Sequence, residues 1–158
     1  MVDVVATRQR IIEATYARIA RDGLAQTTVE AVAQEAGVSR ATIYRHFPRG
    51  RDELVQAVVS WEVGEFFDAW RQDAAEAADF ADWLARGLVA ARRRLDEHRV
   101  LQHALELEAE QLLPRLVTVM PIVVGMLRDE LATRLADEQL QPGVDRGEAA
   151  EYLARLIL

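Results

Sequence analysis

The sequence contains no cysteine among its 158 residues, so disulfide staples, thiolate metal sites and cysteine nucleophiles are excluded. Lysine is also missing. All nineteen basic residues are arginine, a bias that matches a GC-rich coding sequence and carries no functional weight. No glycine-rich phosphate loop, nucleophile elbow or pair of catalytic acids at convincing spacing occurs, which leaves an enzyme with little support. The opening MVDVVATRQR lacks the apolar core of a signal sequence. The longest apolar run, Leu116 to Leu127, is interrupted by Thr118 and Pro121 and is too short to span a bilayer. A cytoplasmic protein with no membrane partner is expected.

Charge is plentiful but uneven. The formal net charge is −7, yet residues 1–51 carry eight arginines against five acids and residues 52–158 carry eleven against twenty-one. A basic front on an acidic rear suits a nucleic-acid-binding head on a body that DNA repels. The plainer reading is that acidic helices keep a protein soluble. At this length, one compact body with a small appended domain is the natural expectation.

The most informative stretch is Thr27 to Phe47, TTVEAVAQEAGVSRATIYRHF, which reads as two short capped helices. Thr27 with Glu30 three residues on forms a capping box. Val29, Val32, Ala33 and Ala36 follow at helical spacing, and Gly37 supplies the left-handed residue that ends the helix. Ser39 caps the second helix, with Val38 and Ile43 placed as a hydrophobic staple. If Ile43 and Phe47 face inward, Ala41 and Arg45 face outward, flanked by Arg40, Thr42 and Tyr44. That outward face is polar and, apart from arginine, almost uncharged, as a neighbouring phosphate backbone would require.

The rest of the chain reads as helices. Thr7 caps a first helix running to about Asp22, with Ile12, Tyr16 and Ile19 inward and Gly23 ending it. Pro48, Arg49 and Gly50 form a turn. Asp52 and Glu53 then suit the N-terminus of a strut that runs to about Ala75, on the order of 35 Å long. Asp79 caps a further helix that ends in Arg92, Arg93 and Arg94. Residues 99–113 make one helix or two, Pro114 and Pro121 break the chain or open new turns, and Val117 to Leu140 forms a second long helix. Asp145 opens a last helix, which stops at Leu156, Ile157 and Leu158 without a terminating signal. The chain is expected to be cut short there.

The head resembles the N-terminal DNA-binding domain of the TetR family of bacterial transcriptional regulators. The resemblance is carried by TRQRIIEATYARIARDG, TTVEAVA, AGVSRATIYRHF and RDEL. It implies an all-α fold: an N-terminal three-helix domain with a helix-turn-helix over 1–50, and a larger helical effector-binding and dimerisation domain over 51–158. It also implies that Thr27, Thr28, Tyr44, His46 and Arg51 hold phosphates. Arg40, Ala41, Thr42 and Arg45, on the helix that Ser39 caps, would then face base edges. Phosphate contacts position a protein on DNA and base contacts specify the sequence. The expected partners are a palindromic double-stranded operator, a second copy of the chain and a small apolar effector, with no cofactor.

Trp61, Phe66, Phe67, Trp70 and Trp83, with Met120, Val124 and Met126, either line an apolar cavity or form plain core. The resemblance favours the cavity as an effector site. His103, Glu106 and Glu110 share a helical face near His98, but histidines beside acids on a surface are the commoner arrangement, and no metal is assigned. Two alternatives to a ligand-responsive repressor stay open: a DNA-binding protein that needs no effector, and a small-molecule-binding helical protein with a vestigial head.

Overall fold

The computed structural model describes residues 2–158. Among these it contains eight helices and no strand: α1 (Val2–Asp22), α2 (Val29–Glu35), α3 (Arg40–His46), α4 (Arg51–Asp73), α5 (Phe80–Glu97), α6 (Arg99–Leu107), α7 (Ala109–Leu135) and α8 (Arg146–Ile157). The all-α expectation holds. The chain divides into two compact units, Met1–Gly64 with Leu95–Leu116, and Glu65–Arg94 with Val117–Leu158. The first unit therefore contains α1 to α3, the front of α4, the last residues of α5, α6 and the start of α7.

The first unit is built around Ile11, Ile12, Ile19, Val32, Ile43, Phe47, Leu54 and Val55, all buried. Helix α2 ends in a Schellman turn. Gly37 adopts φ +65°, the Val38 N–H donates to the Ala33 carbonyl at 3.0 Å, and the Gly37 N–H donates to the Gln34 carbonyl at 3.2 Å, which satisfies carbonyls that the helix end would orphan. Ser39 caps α3 by accepting from the Thr42 N–H at 3.1 Å. Val38 packs against the core that buries Ile43, as a staple does.

Three local expectations are corrected. Helix α1 begins at Val2, so Thr7 lies inside it and caps nothing, because no breaker separates the two positions. The cap of α2 is Thr28, which accepts from the Ala31 N–H at 3.1 Å. Thr27 is buried, and its hydroxyl donates to the Gly23 carbonyl at 2.8 Å. With two consecutive threonines the box shifts by one residue, which removes Glu30 from the capping position. Finally, the break after α6 falls at Glu108, and Pro114 and Pro121 lie within α7, which ends at Leu135. An interior proline costs roughly 3 kcal/mol, and burial of Leu112, Val119, Leu127, Leu131 and Leu135 along the helix offsets it. Continuous through both prolines, α7 is long and apolar enough by composition to cross a membrane, contrary to the sequence expectation. The mostly buried core helix of a soluble protein passes the same test, and here 17% of the apolar stretch is buried.

The second unit buries Phe67, Trp70, Ala74, Trp83 and Ala90 with Val119, Leu127, Leu131, Leu135, Ala150 and Ala154. Asp79 caps α5 by accepting from the Asp82 N–H at 2.8 Å, and Asp145 caps α8 by accepting from the Glu148 N–H at 2.9 Å, both as expected. Asp73 pairs with Arg94 at 2.9 Å and Arg93 at 3.3 Å. Arg93 and Arg94 are thus held on the unit itself.

Candidate nucleic-acid interface

Helix α3 is clamped at both ends and turned by its core side. Ile43 and Phe47 are fully buried, while Arg40, Ala41, Tyr44 and Arg45 are exposed and Thr42 and His46 are half-buried. The Ser39 and Thr42 hydroxyls lie 3.0 Å apart, so the capping turn is closed by side chains as well as backbone. No acid occupies the first turn of α3, and Arg45 and His46 lie in its last. A short rigid helix with an outward arginine-bearing face can enter a major groove, which admits a helix and presents guanine O6 and N7 to arginine.

Around α3, Thr28 is exposed at the N-terminus of α2, where orphan amides and the helix dipole favour an anion. Tyr44 is 44% exposed. One edge of its ring rests on Gly50, whose φ is +62° and whose absent Cβ would stand 3.1 Å from Tyr44 Cε1. Glycine there serves both the turn and the tyrosine. Arg40 is paired with Glu30 of α2 at 2.9 Å.

Thr27 and Arg51 are placed differently from the other residues expected at phosphates. Thr27 is 1% exposed. Arg51 turns inward: Nε donates to the Thr27 carbonyl at 2.9 Å, and Nη2 donates to the Leu24 carbonyl at 2.6 Å and to Gln111 Oε1 at 3.1 Å. Its guanidinium holds the turn before α2 from behind.

That inward arginine belongs to a polar clasp that sequence reasoning missed. Glu108, between α6 and α7, accepts from the Leu24 and Ala25 N–H groups, both at 2.7 Å. Arg115 donates to the Asp52 carboxylate at 2.8 Å and to its carbonyl at 3.0 Å, and that hydrogen bond, with the adjacent charge, holds the Asp52 carboxyl below its usual range. Nearby, His98 caps α6 by accepting from the Leu101 N–H through Nδ1, while Nε2 lies 2.6 Å from Glu62. The Glu62 hydrogen bond raises the His98 pKa against the opposing effect of burial. The sequence trace of the clasp is Gly23, whose φ is +83° and whose absent Cβ would stand 3.2 Å from the Glu108 carboxylate.

The residues expected around an effector fall into separate groups. Trp61 lies in the first unit, edge-on to Tyr16 at 5.6 Å. In the second unit Phe66, Phe67, Trp70 and Trp83 form a chain of edge-to-face contacts at 5.8, 5.9 and 5.0 Å. On α7, Met120 is exposed and Val124 half-buried. Among the described residues no group of three His, Asp or Glu side chains is arranged to hold a metal ion.

Helices α2 and α3 together form a helix-turn-helix. Residues 11–58 match the bacterial regulatory proteins of the tetR family. Over 54 residues it is 41% identical to the HTH-type transcriptional regulator SrpR of Pseudomonas putida, a stretch covering 34% of this chain and 25% of SrpR. The match thus spans about a quarter of that relative's length. Among solved structures, the R. erythropolis transcriptional repressor QsdR from the TetR family has a similar fold. Its TM-score is 0.69 at 20% identity, over 95% of this chain and 79% of QsdR. The regulator FadR from Bacillus subtilis, in complex with stearoyl-CoA, has a TM-score of 0.59 at 23% identity, over 94% of this chain and 82% of FadR.

Proposed function

We propose that this chain is a cytoplasmic transcriptional repressor that binds a palindromic operator as a homodimer and leaves it when a small apolar effector enters the second unit. The observation carrying this reading is the doubly capped α3, which offers Arg40, Ala41 and Arg45 outward and has no carboxylate of its own. Ser39, Thr42, Thr28, Tyr44 and His46 supply the surrounding polar contacts. Thr27 and Arg51 act from behind, by setting the turn that aims α2. Each dimer places two copies of α3 in successive major grooves about 34–36 Å apart. Tyr152 and Leu156, four residues apart on α8 and each 67% exposed, offer apolar surface to a second chain.

The effector acts on α4, which starts in the first unit and ends in the second. Its distal half carries Phe66, Phe67 and Trp70, and an occupant among these rings and Trp83 tilts the helix and changes the spacing of the heads. Trp61, Met120 and Val124 are secondary candidates. Because FadR is described with stearoyl-CoA, a long-chain acyl thioester is the first probe. A coupling of about 1–3 kcal/mol between effector and operator is typical of such switches.

One observation favours a second reading, a DNA-binding protein without an effector. The absent Cβ of Gly87 would stand 2.6 Å from Trp70 Nε1, so the ring chain is packed tightly against α5.

Selection from random duplexes tests the regulator reading. Enrichment of a palindrome bound by two chains supports it, and recovery of unenriched sequence rejects it. Titrating the acyl probe into that complex separates the two readings: release supports the effector, and unchanged binding at saturating probe supports the effector-free protein.

A further inference from the structure

Glu30 lies in the first turn of α2, where its charge suits the helix dipole, but its carboxylate makes no capping hydrogen bond. Because the cap falls on Thr28, Glu30 is the second helical residue, where it takes no part in the cap. Its Oε1 instead lies 2.9 Å from Nη2 of Arg40, the first residue of α3, and the two side chains remain 56% and 61% exposed. An acid from one helix of the motif is thus joined to the first arginine of the other, on the surface that carries the outward face of α3.

An arginine beside DNA has two competing targets. A phosphate attracts it with a full charge and yields an interaction common to every sequence, whereas guanine O6 and N7 offer partial charges in a geometry that matches the guanidinium fork. A carboxylate paired with the guanidinium alters that competition. The Glu30–Arg40 pair is formally neutral, so its attraction to a phosphate largely cancels, and Glu30 itself repels phosphate oxygens. The guanine edge is uncharged and escapes this penalty. One N–H of five is committed to Glu30, which leaves others to form a two-point contact and limits the rotamers the side chain must lose on binding.

We infer that Glu30 is a positioning residue that confines Arg40 to reading a guanine and suppresses its use as a general phosphate anchor. This rests on the DNA-binding reading above and adds to it a determinant of specificity outside α3.

The test compares the full chain with its Glu30→Gln, Glu30→Asp, Arg40→Ala and Glu30→Gln/Arg40→Ala variants. The measurements are selection from random duplexes, and anisotropy on a scrambled duplex across a salt series. Arg40→Ala identifies the base pair that Arg40 reads. At that position Glu30→Gln lowers the guanine preference about tenfold, within the range of one bidentate contact, while Glu30→Asp retains most of it. On the scrambled duplex Glu30→Gln binds more tightly, and its log–log salt slope steepens by about 0.9, the increment for neutralising one further phosphate. In the Arg40→Ala background neither change occurs. Glu30→Gln binding all duplexes more tightly with the guanine preference intact overturns the inference and leaves the DNA-binding reading standing. A wild-type chain that enriches no sequence overturns both.

Discussion

Replacing Glu108 with alanine removes the acceptor for two backbone amides in the α1–α2 connection, Leu24 and Ala25, each at 2.7 Å. The Leu24 contact is partly buried, and an amide stripped of its partner there costs about 1–3 kcal/mol. Ala25 is exposed, so water replaces the carboxylate and the loss is nearer 0.5 kcal/mol, the low end for a hydrogen bond. The sum is about 1.5–3.5 kcal/mol, a fall in thermal midpoint of roughly 3–14 °C for a chain of this size. Glu108→Gln keeps one acceptor oxygen and is expected to lose about half as much. Thermal and urea unfolding measure the total, and hydrogen exchange locates it, because the Leu24 and Ala25 amides lose protection before those of α3. A midpoint shift under about 2 °C with both amides still protected would refute the view that this carboxylate holds the head.

Three further outcomes are expected. Gly87→Ala places a Cβ 2.6–2.8 Å from the Trp70 indole, and since that ring is buried and rigid, overpacking costs about 1–3 kcal/mol and alters near-ultraviolet circular dichroism. Arg51→Ala removes the guanidinium donor to the Thr27 and Leu24 carbonyls, the latter keeping the Thr27 N–H, so stability falls by about 1–3 kcal/mol while the salt slope of DNA binding stays unchanged; a slope lowered by about 0.9 would instead mark the loss of one neutralised phosphate. The Glu62–His98 pair raises the His98 pKa above 6.5, so the pair's stabilisation is full below that value and is lost as pH rises through the higher folded value, and in both proteins protonation also ends the Nδ1 cap on the Leu101 N–H. The difference in urea midpoint between wild type and Glu62→Gln is therefore larger under mildly acidic than alkaline conditions, and a difference independent of pH would contradict it.

What could be read from the sequence was local. Gly37, Ser39, Val38, Ile43 and Phe47 act on neighbours within five residues, so their roles follow from spacing, and α3 was placed with its inward and outward faces correct. Adjacent Thr27 and Thr28 were ambiguous because either can cap a helix. The inward hydroxyl bond from Thr27 to Gly23 decides between them, and only the packed chain reveals it. Pro114 and Pro121 misled for a related reason: a local rule for breaking helices was outweighed by apolar burial along α7. The clasp was invisible because its partners lie far apart in sequence, 84 residues between Leu24 and Glu108 and 60 between Arg51 and Gln111. Trp61 and Trp70 lie on the same helix, but the boundary between the two compact units, after Gly64, falls between them, and a run of aromatic residues does not record such a boundary.

Glu30 shows how one misplaced cap changes a functional expectation. Assigned to a capping box, its carboxylate is a local structural device. Once the cap moves to Thr28, the same carboxylate becomes the partner of Arg40, and a structural residue becomes a candidate for setting sequence preference.

The most direct test of the central claim, that α3 reads DNA through its exposed arginines, is fluorescence anisotropy of the full chain on the duplex upstream of its own gene and on a scrambled duplex across a salt series, with Arg40→Ala alongside. The account predicts that wild type keeps its preference for the upstream duplex as salt rises, with two chains per site, and that Arg40→Ala loses most of that preference. Equal, weak and steeply salt-dependent binding to both duplexes by wild type and variant alike would contradict it.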